Sequence, residues 1–248
     1  MNIGIVGNTS LTEKLIKFLL GQRENIKYVF GLTDEEIEKK VNAADLKTLC
    51  LENDINYIQS NDWGLILDEE VDLVYEMGDS RFVPPVFVNR HYVIGNHGAI
   101  LPYVQGGASL VWGRMLNSGE WGVSLMKLSD KIDEGDILIT KKVNYDPSST
   151  SMQTFVEMCD DATISCVKKH YRQKTSSLLP NSGATIKVSK KQDPYKVIKV
   201  LKLCLDNEIS VYLPPRSPEE STMKNEWSEE FSNIFKTAND FPYPKYIT

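Results

Sequence analysis

The sequence predicts an α/β fold in which a mostly parallel sheet carries helices on both faces. Short apolar runs alternate with amphipathic segments along the first 175 residues. Alternating strands and helices are typical of a parallel sheet, because each crossover helix covers one face of it. Polar residues follow the ends of several apolar runs, which is where α/β proteins place ligands and reactive groups.

Length and composition are those of an ordinary globular enzyme or binding protein. The chain has 248 residues, 41% of them hydrophobic and 25% charged, and its formal net charge is −6. A negative balance argues against general nucleic-acid binding, which needs a basic face. No run approaches the roughly 20 apolar residues of a membrane span, and the start lacks a signal-type segment. The four cysteines show no CxxC spacing, so we expect buried free thiols and a cytoplasmic protein.

The first half of the chain shows strand and helix patterns in regular succession. After the first strand, Thr9 or Ser10 is placed to cap a helix. This turn lacks the GxGxxG spacing of dinucleotide-binding proteins, which argues against NAD or FAD. In the charged helical region that follows, Leu46, Leu49 and Leu51 are expected to face inward. The predicted elements are strands at 2–6, 26–32, 55–59 and 71–75, helices at 11–20 and within 34–53, and a turn or short helix opening at Pro84-Pro85.

The second half begins with the buried strand 92–94 and ends in a smaller α+β segment. Gly119 follows a predicted helix in a position suited to positive φ, and residues 175–185 have a linker composition. We therefore predict a catalytic domain at 1–175 and a small C-terminal α+β appendage at 186–248. The predicted elements are helices at 106–117, 150–174, 193–206 and 226–236, and strands at 121–128, 137–143 and 209–213, the second of these antiparallel to its neighbour.

Three polar residues are candidates for chemistry: Asn96, His97 and Asp133. His97 follows a buried strand and can exchange a proton near neutral pH. Asn96 can donate to a developing oxyanion, and Asp133, in an acidic turn, can orient His97 or a water. A structural histidine and an Asx-type turn are the competing interpretations. His91 and His170 show no partner in the sequence and are expected to be at the surface or half-buried; no cluster has metal-ligand spacing.

Residues 96–108, Asn-His-Gly-Ala-Ile-Leu-Pro-Tyr-Val-Gln-Gly-Gly-Ala, resemble the signature of the folate-dependent formyltransferases. In that family a strand ends in Asn-x-His and continues with x-Ser-Leu-Leu-Pro, an aromatic residue, and a basic residue before Gly. Residues 128–138 resemble the family's Asp-Thr-Gly-Asp turn, whose catalytic first aspartate falls on Asp133. The resemblance is strong over residues 92–140 and weaker, but consistent, over 1–84.

Two positions depart from the family pattern. His97 is in register with the family histidine, but the family asparagine falls on Gly95, so Asn96 is displaced by one residue. A shift of one residue turns a strand side chain to the opposite face. Either a bulge returns Asn96 to the site, or the amide that polarises the formyl group is lost. Gln105 stands where the family often has Arg or Lys, which argues against an anionic group bound there.

The resemblance implies a Rossmann-like fold and transfer of a formyl group from N10-formyltetrahydrofolate to an amine. The resemblance also implies roles for residues whose type and position alone do not indicate a function. The implied catalytic residues are Asn96, His97 and Asp133; the cofactor-binding residues are Met77, Gly78, Arg81, Phe82, Val83, Ile132 and Asp133; and the substrate-binding residues are Tyr103, Gln105 and Gly106.

The acceptor amine is less constrained than the donor. Within the family it is initiator methionyl-tRNA, a glycinamide ribonucleotide, or an amino sugar attached to a nucleotide. The acidic balance disfavours tRNA, so an amino-sugar nucleotide is the expected substrate. We expect no nucleic-acid or membrane partner, and a homodimer is possible. The alternatives are another acceptor, tRNA-linked or a purine precursor, and a catalytically impaired homologue that binds folate or nucleotide.

Overall fold

A computed structural model describes residues 1–40, 42–173, 178–181, 183–216 and 222–240. Its contacts divide the chain into two compact units. Unit 1 comprises Met1–Asn96 and Leu125–Lys131, and unit 2 comprises His97–Ser124 and the described residues from Ile132 onward. This grouping differs from the domains expected at 1–175 and 186–248, which stay a prediction. Residues 175–177 and 182 of the predicted linker, and residue 174 at the end of the predicted helix 150–174, lie outside the described residues.

Parallel strands form the centre of unit 1, as the alternating pattern predicts. Their order is β3-β2-β1-β4-β5, and each neighbouring pair is parallel. The chain order reverses at β1, so the topological switch point lies between β1 and β4. The strands are β1 (Asn2–Val6), β2 (Asn25–Gly31), β3 (Asn56–Gln59), β4 (Leu73–Glu76) and β5 (Val93–His97).

The helices of unit 1 begin at residues whose side chains or backbone suit a helix start. Thr9 and Thr33 both form capping boxes, and Pro85 opens the last helix of this unit. The expectation that Leu51 faces inward is wrong, because this residue is 79% exposed. Cys50 is buried instead, since residue 50 lies on the inner face of its helix together with Leu46. The helices are α1 (Ser10–Gly21), α2 (Asp34–Lys39), α3 (Leu46–Glu52), α4 (Gly64–Leu67) and α5 (Pro85–Arg90).

A cluster of aromatic side chains fills one face of the sheet in unit 1. The ring of Trp63 lies 5.2 Å from that of Phe30 and 5.1 Å from that of Phe87. Phe30 and Phe87 are fully buried. Trp63 directly precedes the one-turn helix α4, and no helix was predicted there because four residues are too few for a periodic pattern. The aromatic packing holds this segment against the sheet.

Unit 2 contains the rest of the described elements. Strands β7 and β8 continue the seven-stranded sheet after β5, and β6, β10 and β9 form a separate parallel sheet in that order. The N–H of Tyr145, after β8, donates to the carbonyl of Gly119, before β7, as in the predicted antiparallel pair. The elements are β6 (Val104–Gly106), α6 (Ser109–Leu116), β7 (Glu120–Lys127), β8 (Ile137–Asn144), α7 (Met152–Gln173), β9 (Ile186–Lys187), α8 (Pro194–Asp206), β10 (Val211–Leu213) and α9 (Glu229–Ala238).

Helix α6 begins three residues later than the sequence predicts. Gly106 has φ +100° and Ala108 has φ +55°, and neither conformation continues a right-handed helix. Residues 104–106 instead form β6, which pairs with β10. Gly119 has the expected positive φ. All four cysteines are buried and free, which confirms that expectation. Across the described residues, no helix has the length and apolar character needed to cross a bilayer.

Replacing Gly106 by alanine should destabilise the fold by about 2–3 kcal/mol. A Cβ at this position would lie 1.8 Å from the carbonyl oxygen of Leu213 in β10, and φ +100° disfavours any L side chain. Urea denaturation followed by circular dichroism measures the loss. Gly21→Ala is the matched control, because no atom lies within 4 Å of its added Cβ. Equal midpoints for the two variants would show that the β6–β10 contact tolerates a side chain.

Candidate functional site

His97 is the last residue of β5, and its side chain is buried in unit 2. Its exposed fraction is 6%. Nε2 lies 3.0 Å from the carbonyl oxygen of Val104. Because a carbonyl oxygen only accepts hydrogen bonds, Nε2 carries the proton in this arrangement. Nδ1 lies 3.4 Å from Oδ1 of Asp133. A ring protonated on both nitrogens donates toward both neighbours.

Asp133 is held by its backbone and by its carboxylate. Oδ2 accepts a hydrogen bond of 2.7 Å from the backbone N–H of Gly106. Its carbonyl oxygen accepts from Nε2 of Gln105 at 3.1 Å and from Nδ2 of Asn181 at 2.6 Å. Asp133 has φ +54°, a left-handed conformation that costs roughly 1–2 kcal/mol and that aspartate tolerates better than most residues. The surrounding hydrogen bonds therefore stabilise a strained position of the acidic turn.

The predicted pairing of His97 with Asp133 is present. A carboxylate beside an imidazole can hold the ring in one orientation, stabilise its cationic form and accept a proton. Both side chains are mostly buried, with exposed fractions of 7% and 12%, and this strengthens their mutual attraction relative to water. The arrangement suits acyl transfer, in which an oxyanion develops while a nucleophile loses a proton.

Asn96 lies within β5 and is half-buried. The register of β5 against β4 is regular as far as Gly95, so no bulge precedes Asn96. Consecutive strand residues point to opposite faces, and this places the Asn96 side chain on the other face of the strand from that of His97. The catalytic role of Asn96 stays a prediction.

The three predicted substrate-binding residues differ in accessibility. Tyr103 is 36% exposed and lines a cavity of about 740 Å³ in unit 2 together with Trp121 and Lys142. Gln105 is only 2% exposed, and its amide holds the Asp133 carbonyl. Gly106 contributes its N–H to the Asp133 carboxylate. Tyr103 is thus the member of this set placed to meet a ligand, while the other two organise Asp133.

The predicted cofactor-binding loop of unit 1 follows β4. Gly78 has φ +76°, which explains the glycine at the turn. Met77 is fully buried and Val83 is 8% exposed, whereas Phe82 is 52% exposed. Ile132, the predicted cofactor residue of unit 2, is 54% exposed. Phe82 and Ile132 therefore each present apolar surface to solvent.

Arg81 is occupied by internal contacts. Its NH2 lies 2.7 Å from Oδ2 of Asp79, and its NH1 lies 2.6 Å from the carbonyl oxygen of Ser60. The guanidinium also lies 4.6 Å above the ring of Phe30. Near this loop, Nζ of Lys40 donates to the Ser80 hydroxyl, and burial lowers the pKa of that ammonium. The guanidinium of Arg81 is thus committed to the fold of the loop.

The sequence interpretation missed Asn181 and misjudged one histidine. Asn181 lies in the segment predicted as a linker, whose Ser, Pro, Asn and Gly content carries no signal for a site. His91 was expected to have no partner, but its Nε2 lies 2.9 Å from the carbonyl oxygen of Leu67. His170 is half-buried as expected, and burial lowers its pKa. No group of three or more His, Cys, Asp or Glu side chains in the described part of the chain could hold a metal.

Comparisons with known proteins agree with this fold. No family model matches the chain. Methionyl-tRNA formyltransferase of Mycoplasma capricolum is 25% identical over 171 residues, which cover 65% of this chain and 54% of that protein. The chain thus spans about half the length of the curated relatives it matches.

Two solved structures show the shared fold. WlaRD, a sugar 3N-formyl transferase, superposes with a TM-score of 0.69 at 16% identity, over 96% of this chain and 78% of that one. A 4-N formyltransferase from Francisella tularensis superposes with a TM-score of 0.69 at 15% identity, over 99% of this chain and 90% of that one. By sequence the chain is therefore similar to methionyl-tRNA formyltransferases, and by fold it is similar to these two formyltransferases.

Proposed function

We propose that this protein transfers a formyl group from N10-formyltetrahydrofolate to the amine of an amino-sugar nucleotide. The observation that carries the proposal is the buried pair formed by His97 and Asp133, with 3.4 Å between Nδ1 and Oδ1. Both residues match the positions at which the formyltransferase pattern has its histidine and aspartate. The sequence similarity to methionyl-tRNA formyltransferases supports the same class of reaction.

The loop that follows β4 in unit 1 fits a folate. The exposed ring of Phe82 suits the planar ring system of such a ligand, because covering it removes apolar surface from water. Arg81, by contrast, is paired with Asp79, so we do not assign it to the folate carboxylates. When bound, the folate supplies a formyl group in activated form.

His97 and Asp133 have complementary roles in this reaction. In the reaction the Nε2–H of His97 exchanges its partner, the Val104 carbonyl, for the formyl oxygen and stabilises the negative charge that develops there. The carboxylate of Asp133 accepts the proton that the attacking amine loses as the new C–N bond forms. The Gly106 N–H keeps one carboxylate oxygen in place. As the bond between the formyl carbon and the donor nitrogen breaks, Asp133 would return this proton to that nitrogen, which restores the carboxylate.

Three observations support a nucleotide-linked sugar as the acceptor. WlaRD, which shares this fold, was solved with dTDP and 5-N-formyl-THF. The cavity lined by Tyr103 has a volume of about 740 Å³, which is within the usual size of a small-ligand site. The chain carries a net charge of −6, which opposes binding of a long polyanion. Methionyl-tRNA is the second candidate, favoured by the sequence similarity.

An acceptor panel tests the proposal. The purified protein is incubated with N10-formyltetrahydrofolate and, separately, with dTDP-linked 3-amino and 4-amino sugars, methionyl-tRNA and glycinamide ribonucleotide. Mass spectrometry detects a gain of one formyl group, and absorbance follows the release of tetrahydrofolate. We expect formylation of an amino-sugar nucleotide. Formylation of methionyl-tRNA alone would replace the acceptor, and folate binding without turnover of any amine would identify an impaired homologue. The cytoplasmic location and the homodimer stay predictions.

Replacing His97 by glutamine should lower kcat by about 10²–10³-fold, the usual loss when one oxyanion donor is removed. The glutamine amide can still donate to the Val104 carbonyl, so we expect little change in stability. Steady-state kinetics on the accepted amine measures the effect. His91→Gln is the matched control, because His91 also contacts a backbone carbonyl through Nε2 but lies in unit 1. Retention of wild-type kcat by the His97 variant would remove His97 from the reaction.

A further inference from the structure

Residues 178–181, here termed the return segment, run beside the acidic turn that contains Asp133. Leu179 and Ile137 form an antiparallel bridge with two backbone hydrogen bonds, of 2.9 Å and 3.0 Å. Ile137 is the first residue of β8 and follows Asp133 by four positions. The bridge therefore anchors the return segment at the point where the acidic turn enters the sheet.

Asn181 extends this anchor to the turn itself. Its Nδ2 donates to the carbonyl oxygen of Asp133 at 2.6 Å and to that of Gly135 at 3.1 Å. One amide group thus joins the carbonyl groups of the two residues that flank residue 134. Both donor hydrogens of the amide have an acceptor, which is the full capacity of that group. Gln105 adds a second hydrogen bond to the Asp133 carbonyl, at 3.1 Å.

The hydrogen bonds act at a position that needs support. Asp133 has φ +54°, and a strained residue keeps its conformation only where its surroundings over-determine it. The direction of the carboxylate depends on this backbone conformation, because φ and ψ set the direction in which the Cα–Cβ bond leaves the chain. If the turn relaxes, Oδ2 leaves the Gly106 N–H and Oδ1 moves relative to Nδ1 of His97.

We infer that Asn181 is a positioning residue of Asp133: the return segment, through the Asn181 amide, helps to set the geometry of the His97–Asp133 pair. The inference rests on the proposed function for its kinetic consequence. Asn181 touches the backbone of Asp133 and not its carboxylate, so it acts through Asp133 and takes no part in bond making. The return segment is thereby part of the site, although its composition is that of a linker.

The kinetic test compares Asn181→Ala with Asn207→Ala. Asn207 is the matched control, because its Nδ2 donates to a backbone carbonyl, that of Leu203, at 2.8 Å on an exposed part of unit 2. We expect Asn181→Ala to lower kcat about 10–100-fold, as misplacement of a reacting group does, while KM for the amine changes less. In an Asp133→Ala background, Asn181→Ala should have no further effect on kcat. An equal loss in both backgrounds would overturn the inference.

A second measurement does not depend on turnover. The Gly106 amide is bonded to Oδ2 of Asp133, so its hydrogen exchange reports the position of the carboxylate. We expect faster exchange at Gly106 in Asn181→Ala and wild-type exchange in Asn207→Ala. Unchanged exchange at Gly106 would overturn the inference even if the wild type formylates an amine. Faster exchange in a protein that formylates no amine would leave Asn181 as a positioning residue and reject the proposed function.

Discussion

Replacing Asp133 by asparagine should lower kcat/KM for formyl transfer by about 10²–10⁴-fold, as the loss of a general acid–base group does. The new side chain has nearly the same shape, and its oxygen can still accept from the Gly106 N–H, now 2.7 Å from Oδ2. What disappears is the proton acceptor and the negative charge 3.4 Å from Nδ1 of His97. Steady-state kinetics with N10-formyltetrahydrofolate and the accepted amine measures the loss.

Asp130→Asn is the control for this variant. Asp130 belongs to the same acidic segment, but it is exposed, so we expect wild-type turnover. Thermal melting of both variants tests whether the fold is kept. An Asp133→Asn protein that melts with the wild type and turns over within about threefold of it would exclude the carboxylate from proton transfer. Loss of activity accompanied by a large drop in melting temperature would assign Asp133 a structural role.

The elements that the sequence predicts well are those with a long local pattern. Helix α8 was expected at 193–206 and spans Pro194–Asp206, because a cap, a proline and periodic apolar residues all lie within it. Strand β6 was not predicted. It has three residues, and its pairing partner β10 lies about a hundred positions later in the chain. Such a strand exists because of a long-range contact, which no window of sequence contains.

The candidate site shows the same division. His97 and Asp133 were predicted because each lies in a motif with a chemical signature. Asn181 was not, because a single asparagine in a segment of linker composition gains its role only from a contact 48 positions away. Arg81 is predicted to bind the cofactor, and that role stays a prediction; its residue type alone cannot reveal the ion pair that it forms with Asp79, two positions earlier.

Replacing Asp79 by alanine should destabilise unit 1 by about 3–5 kcal/mol, because it leaves a mostly buried guanidinium without its partner. The Asp79 carboxylate is fully buried, and the Arg81 side chain is 14% exposed. Besides Arg81, Asp79 accepts from Nδ2 of Asn8 at 2.9 Å, so the variant also leaves a buried amide unsatisfied. Asn8 in turn accepts from the N–H of Leu32. One carboxylate therefore connects the loops that follow β1, β2 and β4.

Asp68→Ala is the control that separates the effect of burial on the free energy of unfolding from the effect of losing an ion pair. Asp68 and Arg90 lie 2.7 Å apart, as Asp79 and Arg81 do, but their side chains are 82% and 55% exposed. We expect a loss of at most about 1 kcal/mol there. Urea denaturation measures the stability of Asp68→Ala, Asp79→Ala, Arg81→Met and the double variant Asp79→Ala/Arg81→Met. Removing both charges of the buried pair should cost less than the sum of the losses in Asp79→Ala and Arg81→Met. Equal, small losses for Asp79→Ala and Asp68→Ala would show that the loop after β4 does not depend on its buried ion pair.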